Sequence, residues 1–563
     1  MKLERKTAHD EIADDLLFRL REEVFGRQFA KRASWLQQHH SLLTTLDPRQ
    51  RNAAQFVGYF SQWVDAGYGD LQLLRELLNR FPRDVRARLP LSDCFHLLLA
   101  DGMLASLEEA VDAAIRHFDF IISAGQEVLV DEEILVLAHF WKARCLYRRE
   151  EHELALTHAT KARELVLGLG YRRMAAVIRV LESWVCVEQG NLQQAADLLE
   201  ESESAIEDID DWASLGNIDF GYGLIALQEG RYSQTVERFM KAIGWYRKYA
   251  TPHRNLAPVL VRLAGVKRLI TMRLARNIDA KAELSRKASN GGAASSFHTP
   301  SVRRCEQLRS EAFSDLAEAE NLFRQFHDDL GLASVRVTRG FLFMDKGDFD
   351  RTDVEAHEAF ELAMLKKDYR LLTRARILQS KLEGAKYDEG IDEGYDPTLH
   401  AQRAHDYAQD ALAFAKRTDN KQLLAVAYVR LGMTLRFDFF NNVEAASECC
   451  KNAAKYLEGL RRDHVTTLPL AQTQIWEDFR RLKNYTSQGD RADAALRNWA
   501  QGASDNKTLR QLTDEFDKMV ILQVWERESH KISRVANRLS ISPKKVRRIL
   551  KQSRGSSSAS RAE

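Results

Sequence analysis

Four kinds of position return every 40 residues through the middle of this 563-residue chain, and that period limits the folds open to it. Small residues stand at Ala143, Ser183 and Gly223, and turn positions follow at Glu150, Gly190 and Gly230. Ala155, Ala195 and Thr235 come five residues after each turn, and Ala162, Ser202 and Ala242 come seven after those. Within each unit the apolar residues recur at spacings of three and four, as in "FWKARCLYRREEHELALTHATKAREL", the mark of an amphipathic helix. Alternating strand patterns are missing. The unit therefore reads as a helical hairpin. Its small residue lets the second helix approach the first closely, and a glycine closes the short turn with φ > 0. Two small residues about two helical turns apart on the second helix leave a narrow seam for the next hairpin. A chain of this length is too long for one core, and stacked hairpins supply a continuous one.

These offsets resemble the tetratricopeptide repeat, which places a small residue, a turn glycine and two alanines in this order. Further copies follow with drift. Gly340 and Gly347 repeat the seven-residue offset, and Tyr428, Leu431 and Gly432 fall on the family's aromatic, leucine and glycine positions. Ala404 with Ala411, and Ala446 with Ala453, look like second-helix seams. The family's period is about 34, so 40 implies longer helices or turns. The resemblance implies an all-α fold: a superhelix of hairpins over 95–464, after an N-terminal helical region, 1–94, and before terminal helices and a linker, 465–506. Two segments interrupt the array. "SRKASNGGAASSFHTPS", 285–301, is small and polar and reads as a flexible loop, either a plain spacer or a protease-sensitive or modified one. "YDEGIDEGYDP", 387–397, reads as an acidic solvated loop; the residue order of a calcium-binding EF-hand is absent from it.

Motifs for catalysis are missing. The chain holds no G-x-x-x-x-G-K-[ST], G-x-G-x-x-G, H-E-x-x-H or G-x-S-x-G, so no enzyme, no cofactor and no metal site is expected. The six cysteines form no C-x-x-C pair and read as reduced, buried thiols. The N-terminus "MKLERKTAHDEIADDLL" lacks an apolar signal core, and no apolar run approaches a membrane span. A cytoplasmic protein without a membrane partner is the expectation.

Net charge is only +2, yet nine Lys or Arg and no acid lie between Ser529 and Arg554. A solvated tail would not carry the apolar order found there. Ile532, Val535, Ala536 and Leu539 make one face of a short helix. Ser540 and Ile541 make a turn, Ser542 is a good N-cap, and Pro543 suits the first helical position. Val546, Ile549 and Leu550 line the inner face of a second helix, from which Lys544, Lys545, Arg547, Arg548 and Lys551 point away. This is the logic of a helix-turn-helix that places a basic second helix in the DNA major groove. Upstream, Leu512, Phe516, Met519, Val520 and Val524 form a helical stripe. A long helix before a short basic helix-turn-helix resembles the Fis-type domain of NtrC-class bacterial regulators, with "ISRVANRLSIS" matching that family's I-S-x-A-A-x-x-L-G-I-S except at Val535 and Ser540. The resemblance implies a domain over 507–554, a disordered tail over 555–563, double-stranded DNA as partner, and a homodimer built by the upstream helix. Candidate DNA-binding residues are Lys531, Arg534, Ser542, Lys544, Lys545, Arg547, Arg548 and Lys551.

Tetratricopeptide arrays generally hold peptides or proteins against their first helices. Positions three before and one or four after the small residues collect a candidate partner groove: Phe140, Arg144, Tyr147, Trp184, Phe220, Leu224, Phe341 and Met344. These aromatics either floor a groove or pack between hairpins. The expectation is a transcription regulator whose array binds a protein or peptide ligand; the alternative is a scaffold whose basic tail binds RNA or an acidic protein.

Overall fold

The structure is a computed structural model that describes residues 8–30, 34, 36, 38, 43–127, 131–206, 210–249, 252–288, 299–394, 396–418, 420–459, 478–486, 509–528 and 531–550. Every regular element among them is a helix. The chain divides into two compact units, Met1–Lys483 and Asn484–Glu563.

In the first unit, helices α1 (Ala8–Gly26), α2 (Ala53–Asp65), α3 (Leu71–Asn79) and α4 (Arg83–Arg86) precede eight consecutive hairpins. These are α5 (Leu91–Leu107) with α6 (Val111–Glu127), α7 (Glu132–Arg148) with α8 (His152–Gly168), α9 (Arg172–Gln189) with α10 (Leu192–Ile206), and α11 (Trp212–Gln228) with α12 (Tyr232–Tyr246). The series continues with α13 (Leu256–Ala288) and α14 (Thr299–Gln325), α15 (Asp329–Met344) and α16 (Phe349–Lys366), α17 (Tyr369–Glu393) and α18 (Thr398–Ala415), and α19 (Lys421–Thr434) and α20 (Val443–Gly459). A further helix, α21, spans 478–486 and crosses the division between the units at Lys483. The unit is a tetratricopeptide-like array.

The 40-residue registers do what their residue types allow. Ala143, Ser183 and Gly223 are buried where the two helices of a hairpin cross. A Cβ on Gly223 would stand 2.5 Å from the Phe239 ring. Turn positions Glu150, Gly190 and Gly230 are all left-handed, with φ of 63°, 85° and 74°. The seam residues Ala155, Ala162, Ala195, Ser202, Thr235 and Ala242 are fully buried. Helix starts are fixed by acceptor side chains: Asp211, Asp328, Asp348, Asp368 and Asn420 each accept a backbone N–H three residues on.

Two departures from the expected boundaries have physical causes. Residues 387–393 are the last turns of α17, not a loop. The Tyr387 ring lies 4.3 Å from that of Phe437 and its hydroxyl accepts from Asp438 N, so tertiary anchoring overrides the acidic, glycine-containing composition. The turn comes at Gly394, with φ 83°. Ser285–Ala288 close α13 and Thr299–Ser301 open α14; the rest of the expected 285–301 loop lies outside the described residues.

The N-terminal helices lie against the first helices of hairpins two to four. Tyr59 donates to Glu133 (2.9 Å), Trp141 Nε1 donates to Gln62 (2.8 Å), and Arg144 pairs with Asp65 (2.7 Å). Arg27 pairs with the buried Asp211 at the start of α11 (2.6 Å). The superhelix also meets itself. Glu109, at the α5–α6 turn, accepts from the Asp329 and Leu330 amides at the start of α15 (3.2 and 3.0 Å) and pairs with Lys366 (3.1 Å). Glu150, at the α7–α8 turn, accepts from Asn420 (3.2 Å) and faces Arg370 (3.6 Å). Both glutamates sit at left-handed turn positions, φ 64° and 63°, where Gly190, Gly230 and Gly347 stand in later hairpins.

The second unit holds α22 (Leu509–Arg527), α23 (Ile532–Arg538) and α24, 543–550. Ile521, Val524, Val535, Ala536, Val546 and Ile549 form its core. Ser540 turns the chain with φ 50°, at the place where the resembled family has glycine. The described part of the expected 555–563 tail is nil.

Candidate ligand cavity and nucleic-acid interface

Where the first two hairpins meet hairpins six to eight, the array lines a cavity of about 1380 Å³ that is partly open to solvent. That exceeds the roughly 300–1,000 Å³ of ordinary small-molecule pockets. Val261, Leu269, Phe341, Ile377 and Val426 give it apolar patches. Its ionic lining is lopsided, with twelve Lys or Arg against eight Asp or Glu.

The cations crowd one wall. On α17, Arg370, Arg374 and Lys381 follow at helical spacing; Arg262 comes from α13 and Arg430 from α19. Their acidic neighbours stand off. Glu188 is 3.9 Å from Arg262, Glu150 3.6 Å from Arg370, and Asp478 3.8 Å from Lys381. These separations are beyond good hydrogen-bond length. Arg370 Nε is buried with no hydrogen bond, and Arg374 has no hydrogen-bond or ion-pair partner among the described residues. Burial, with Arg370 and Arg262 nearby, pushes the Arg374 guanidinium down to about 10. Burial likewise pushes Lys381 down to about 8 and Arg430 to about 10. Arg430 is held by the Ser380 hydroxyl and carbonyl (2.8 and 2.5 Å). By contrast Arg268, on the same wall, is satisfied by a two-point pair with Asp345 (2.5 and 2.9 Å).

The expected groove residues divide. Tyr147 and Phe341 border the cavity, and Met344 is half-buried near the end of α15. Phe140 and Leu224 are core residues, at 6% and 2% exposure. Arg144 stacks on Trp141 (4.2 Å) and is tied to α2 through Asp65. Trp184 meets Phe220 edge to face at 5.4 Å, and Phe220 stacks on Phe239. For these residues packing between elements replaces the expected open groove. Of these, Arg144 is covered from α2, through Asp65, while Trp184 and Phe220 pack within the array itself.

In the second unit the apolar faces of α23 and α24 converge with Val520 and Val524 as expected, whereas Phe516 of the upstream stripe is 42% exposed and Ile521 is buried in its place; the basic residues stay outside. Lys531, Arg534, Ser542, Lys544, Arg547 and Arg548 are exposed. Ser542 Oγ accepts from Lys545 N (3.3 Å), the N-cap that starts α24. Lys545 is half-buried and pairs with Asp517 on α22 (2.6 Å), and Arg538 pairs with Glu528 (2.7 Å). Lys551 lies outside the described residues. The first pair ties α24 to α22 and the second ties the end of α23 to the residue after α22, and α24 keeps an exposed face carrying Lys544, Arg547 and Arg548.

Among the described residues no group of three His, Cys, Asp or Glu could hold a metal ion, and no helix is long and apolar enough to cross a membrane. None of the six cysteines forms a disulfide; Cys449 and Cys450 are both buried.

No family model matches the chain, and no curated protein does. Among solved structures it is similar to a Rap protein complexed with competence and sporulation factor, at 13% identity over 76% of this chain and 99% of that one, with a TM-score of 0.47. It is similar to the Rap conjugation gene regulator of plasmid pLS20 in complex with the Phr* peptide, at 12% identity over 68% and 95%, TM-score 0.41. It is also similar to a signal-transduction ATPase with a tetratricopeptide repeat sensor from Pyrococcus horikoshii, at 13% identity over 69% and 52%, TM-score 0.37.

Proposed function

We propose that this chain is a cytoplasmic DNA-binding transcription regulator, not an enzyme, whose helical array takes a peptide or a segment of a partner protein into its central cavity. The observation that carries the DNA reading is α24: a short helix with its apolar face packed and Lys544, Arg547 and Arg548 exposed together, preceded by a tight turn at Ser540. Exposed guanidinium groups on such a helix neutralise phosphates and pair two-pronged with guanine in the major groove. The Fis-type resemblance of the same residues points the same way. A homodimer through α22 would set two such helices about 34 Å apart, one turn of DNA. The ligand reading rests on the size of the cavity and its mixed lining.

The test is selection from a random duplex library by the full-length protein, in parallel with an RNA library of the same length. A common duplex motif, lost with Arg547→Ala/Arg548→Ala, is expected. Enrichment of RNA alone, or of duplexes without any shared motif, would transfer the basic unit to the scaffold alternative.

A further inference from the structure

The cavity wall formed by α13, α17 and α19 holds more positive charge than its own acids satisfy, and it faces a space that water or a ligand must fill. Burying a cation is costly unless it is paired, and folded proteins ordinarily bring its counter-charge to hydrogen-bond distance. Arg268 shows the ordinary outcome on this same wall. Arg370 and Arg374 stay unmatched at the cavity surface: the Arg370 side chain is 37% exposed but its Nε is buried and orphaned, with acids only at 3.6 and 3.9 Å, and the half-buried Arg374 has no hydrogen-bond or ion-pair partner among the described residues. Their spacing of four puts them on one face of α17, with Ile377 and Lys381 continuing that face along the cavity. Gly384, one turn on, leaves room for the Arg430 guanidinium, since a Cβ there would stand 2.6 Å from an Arg430 nitrogen.

Resting on the reading of the cavity as a peptide site, we propose that its ligand is an acidic oligopeptide whose carboxylates are taken by Arg262, Arg370, Arg374, Lys381 and Arg430 and whose apolar side chains lie on Phe341 and Val426. Three features choose this occupant. The lining carries an excess of cations, which matches a net-negative ligand. Arginine forks suit carboxylates, which can accept two N–H bonds at once. The volume and the apolar patches call for something larger and greasier than an inorganic anion. Free phosphates or nucleotides share the charge but not the apolar contact, so they become outcomes of the test.

The assignment has a signature that a structural role for Arg374 would not give. A guanidinium with no partner in the empty protein adds nothing to stability, so Arg374→Gln should fold with an unchanged or higher melting temperature while losing ligand. Display-library selection of random octapeptides on immobilised full-length protein reads this directly. The expected pool is enriched in Asp and Glu and elutes with high salt. Arg370→Gln/Arg374→Gln should lose that enrichment at least tenfold, and Arg374→Lys, which keeps the charge but not the fork, should keep only part of it. A pool of neutral or basic peptides, or an acidic pool unaffected by Arg370→Gln/Arg374→Gln, would overturn the charge assignment and leave the peptide reading standing. No enriched peptide at all, with ATP or inorganic phosphate raising the melting temperature of the wild type but not of Arg374→Gln, would overturn the peptide reading itself. A melting temperature several degrees lower in Arg374→Gln would make the arginine structural and also overturn the proposal.

Discussion

Replacing Arg27 by methionine should destabilise the array by about 3–5 kcal/mol, the usual cost of stripping one partner from a buried ion pair. The geometry sets this value. The Arg27 side chain is 9% exposed and that of Asp211 0%, so neither charge has water to fall back on. Arg27 donates from Nε to Asp211 at 2.7 Å and from Nη2 to Ser214 Oγ at 3.4 Å, and Nη2 lies 2.6 Å from the same carboxylate oxygen. Without the guanidinium, the carboxylate keeps only the Ser214 amide and hydroxyl, at 3.2 and 2.5 Å. Methionine preserves most of the stem that packs near Phe29, and it inherits the same left-handed backbone at φ 56°, so the change reads the charge and not the turn. Urea unfolding of the full-length chain, followed by tryptophan fluorescence, gives the difference from the midpoint at constant slope. Asp211→Asn should cost a similar amount, and the double variant clearly less than the two together. A loss under about 1 kcal/mol for Arg27→Met, the range of an exposed pair, or simple additivity in the double variant, would refute the reasoning.

Stability should fall as pH drops below about 6.5. Burial holds His139 and His158 at about 4 and His96 at about 3, so the unfolded chain binds protons that the native chain refuses; His139→Asn/His158→Asn should flatten the loss between pH 6.5 and 4 in urea titrations. Gly223→Ala should cost about 1–3 kcal/mol by forcing the Phe239 ring aside. Gly190→Ala should cost about 1 kcal/mol, for its left-handed φ alone, because nothing lies within 4 Å of the added methyl. Glu109→Gly should keep its turn but release the start of α15, seen as faster hydrogen exchange at the Asp329 and Leu330 amides; unchanged exchange would show that the carboxylate is not what joins hairpin one to hairpin six.

The repeat was legible because its signal is local. Close crossings demand a small residue, tight turns demand φ > 0, and both recur at a fixed spacing in Ala143, Ser183, Gly223 and Gly190. The core of the second unit was legible for the same reason, since Val535, Ala536, Val546 and Ile549 lie within 15 residues of one another. The cavity was not. Its walls come from hairpins more than 200 residues apart, and the superhelical path that brings Glu109 to α15 is set by many small packing angles. Two signals were nonetheless present. Glu109 and Glu150 stand where the repeat prefers glycine, and a strained carboxylate at a turn needs a reason, here a contact across the array. Arg370, Arg374 and Lys381 mark one helical face with charge where core residues would be expected. Trp184 and Phe220 left two readings open because an aromatic at the right offset fits a groove and an inter-hairpin contact equally well; in the fold Trp184 packs on Tyr147 and Phe220, and Phe220 on Phe239.

The central claim, that α24 reads DNA, is tested most directly by fluorescence anisotropy of the full-length protein on the selected duplex across a salt series, beside Arg547→Ala/Arg548→Ala. The account predicts a log–log salt slope near −0.9 per phosphate contact and at least a tenfold loss of affinity in the double variant, since each well-paired arginine is worth about 1–3 kcal/mol. Binding that ignores salt, or a double variant that binds as tightly as the wild type, would contradict it.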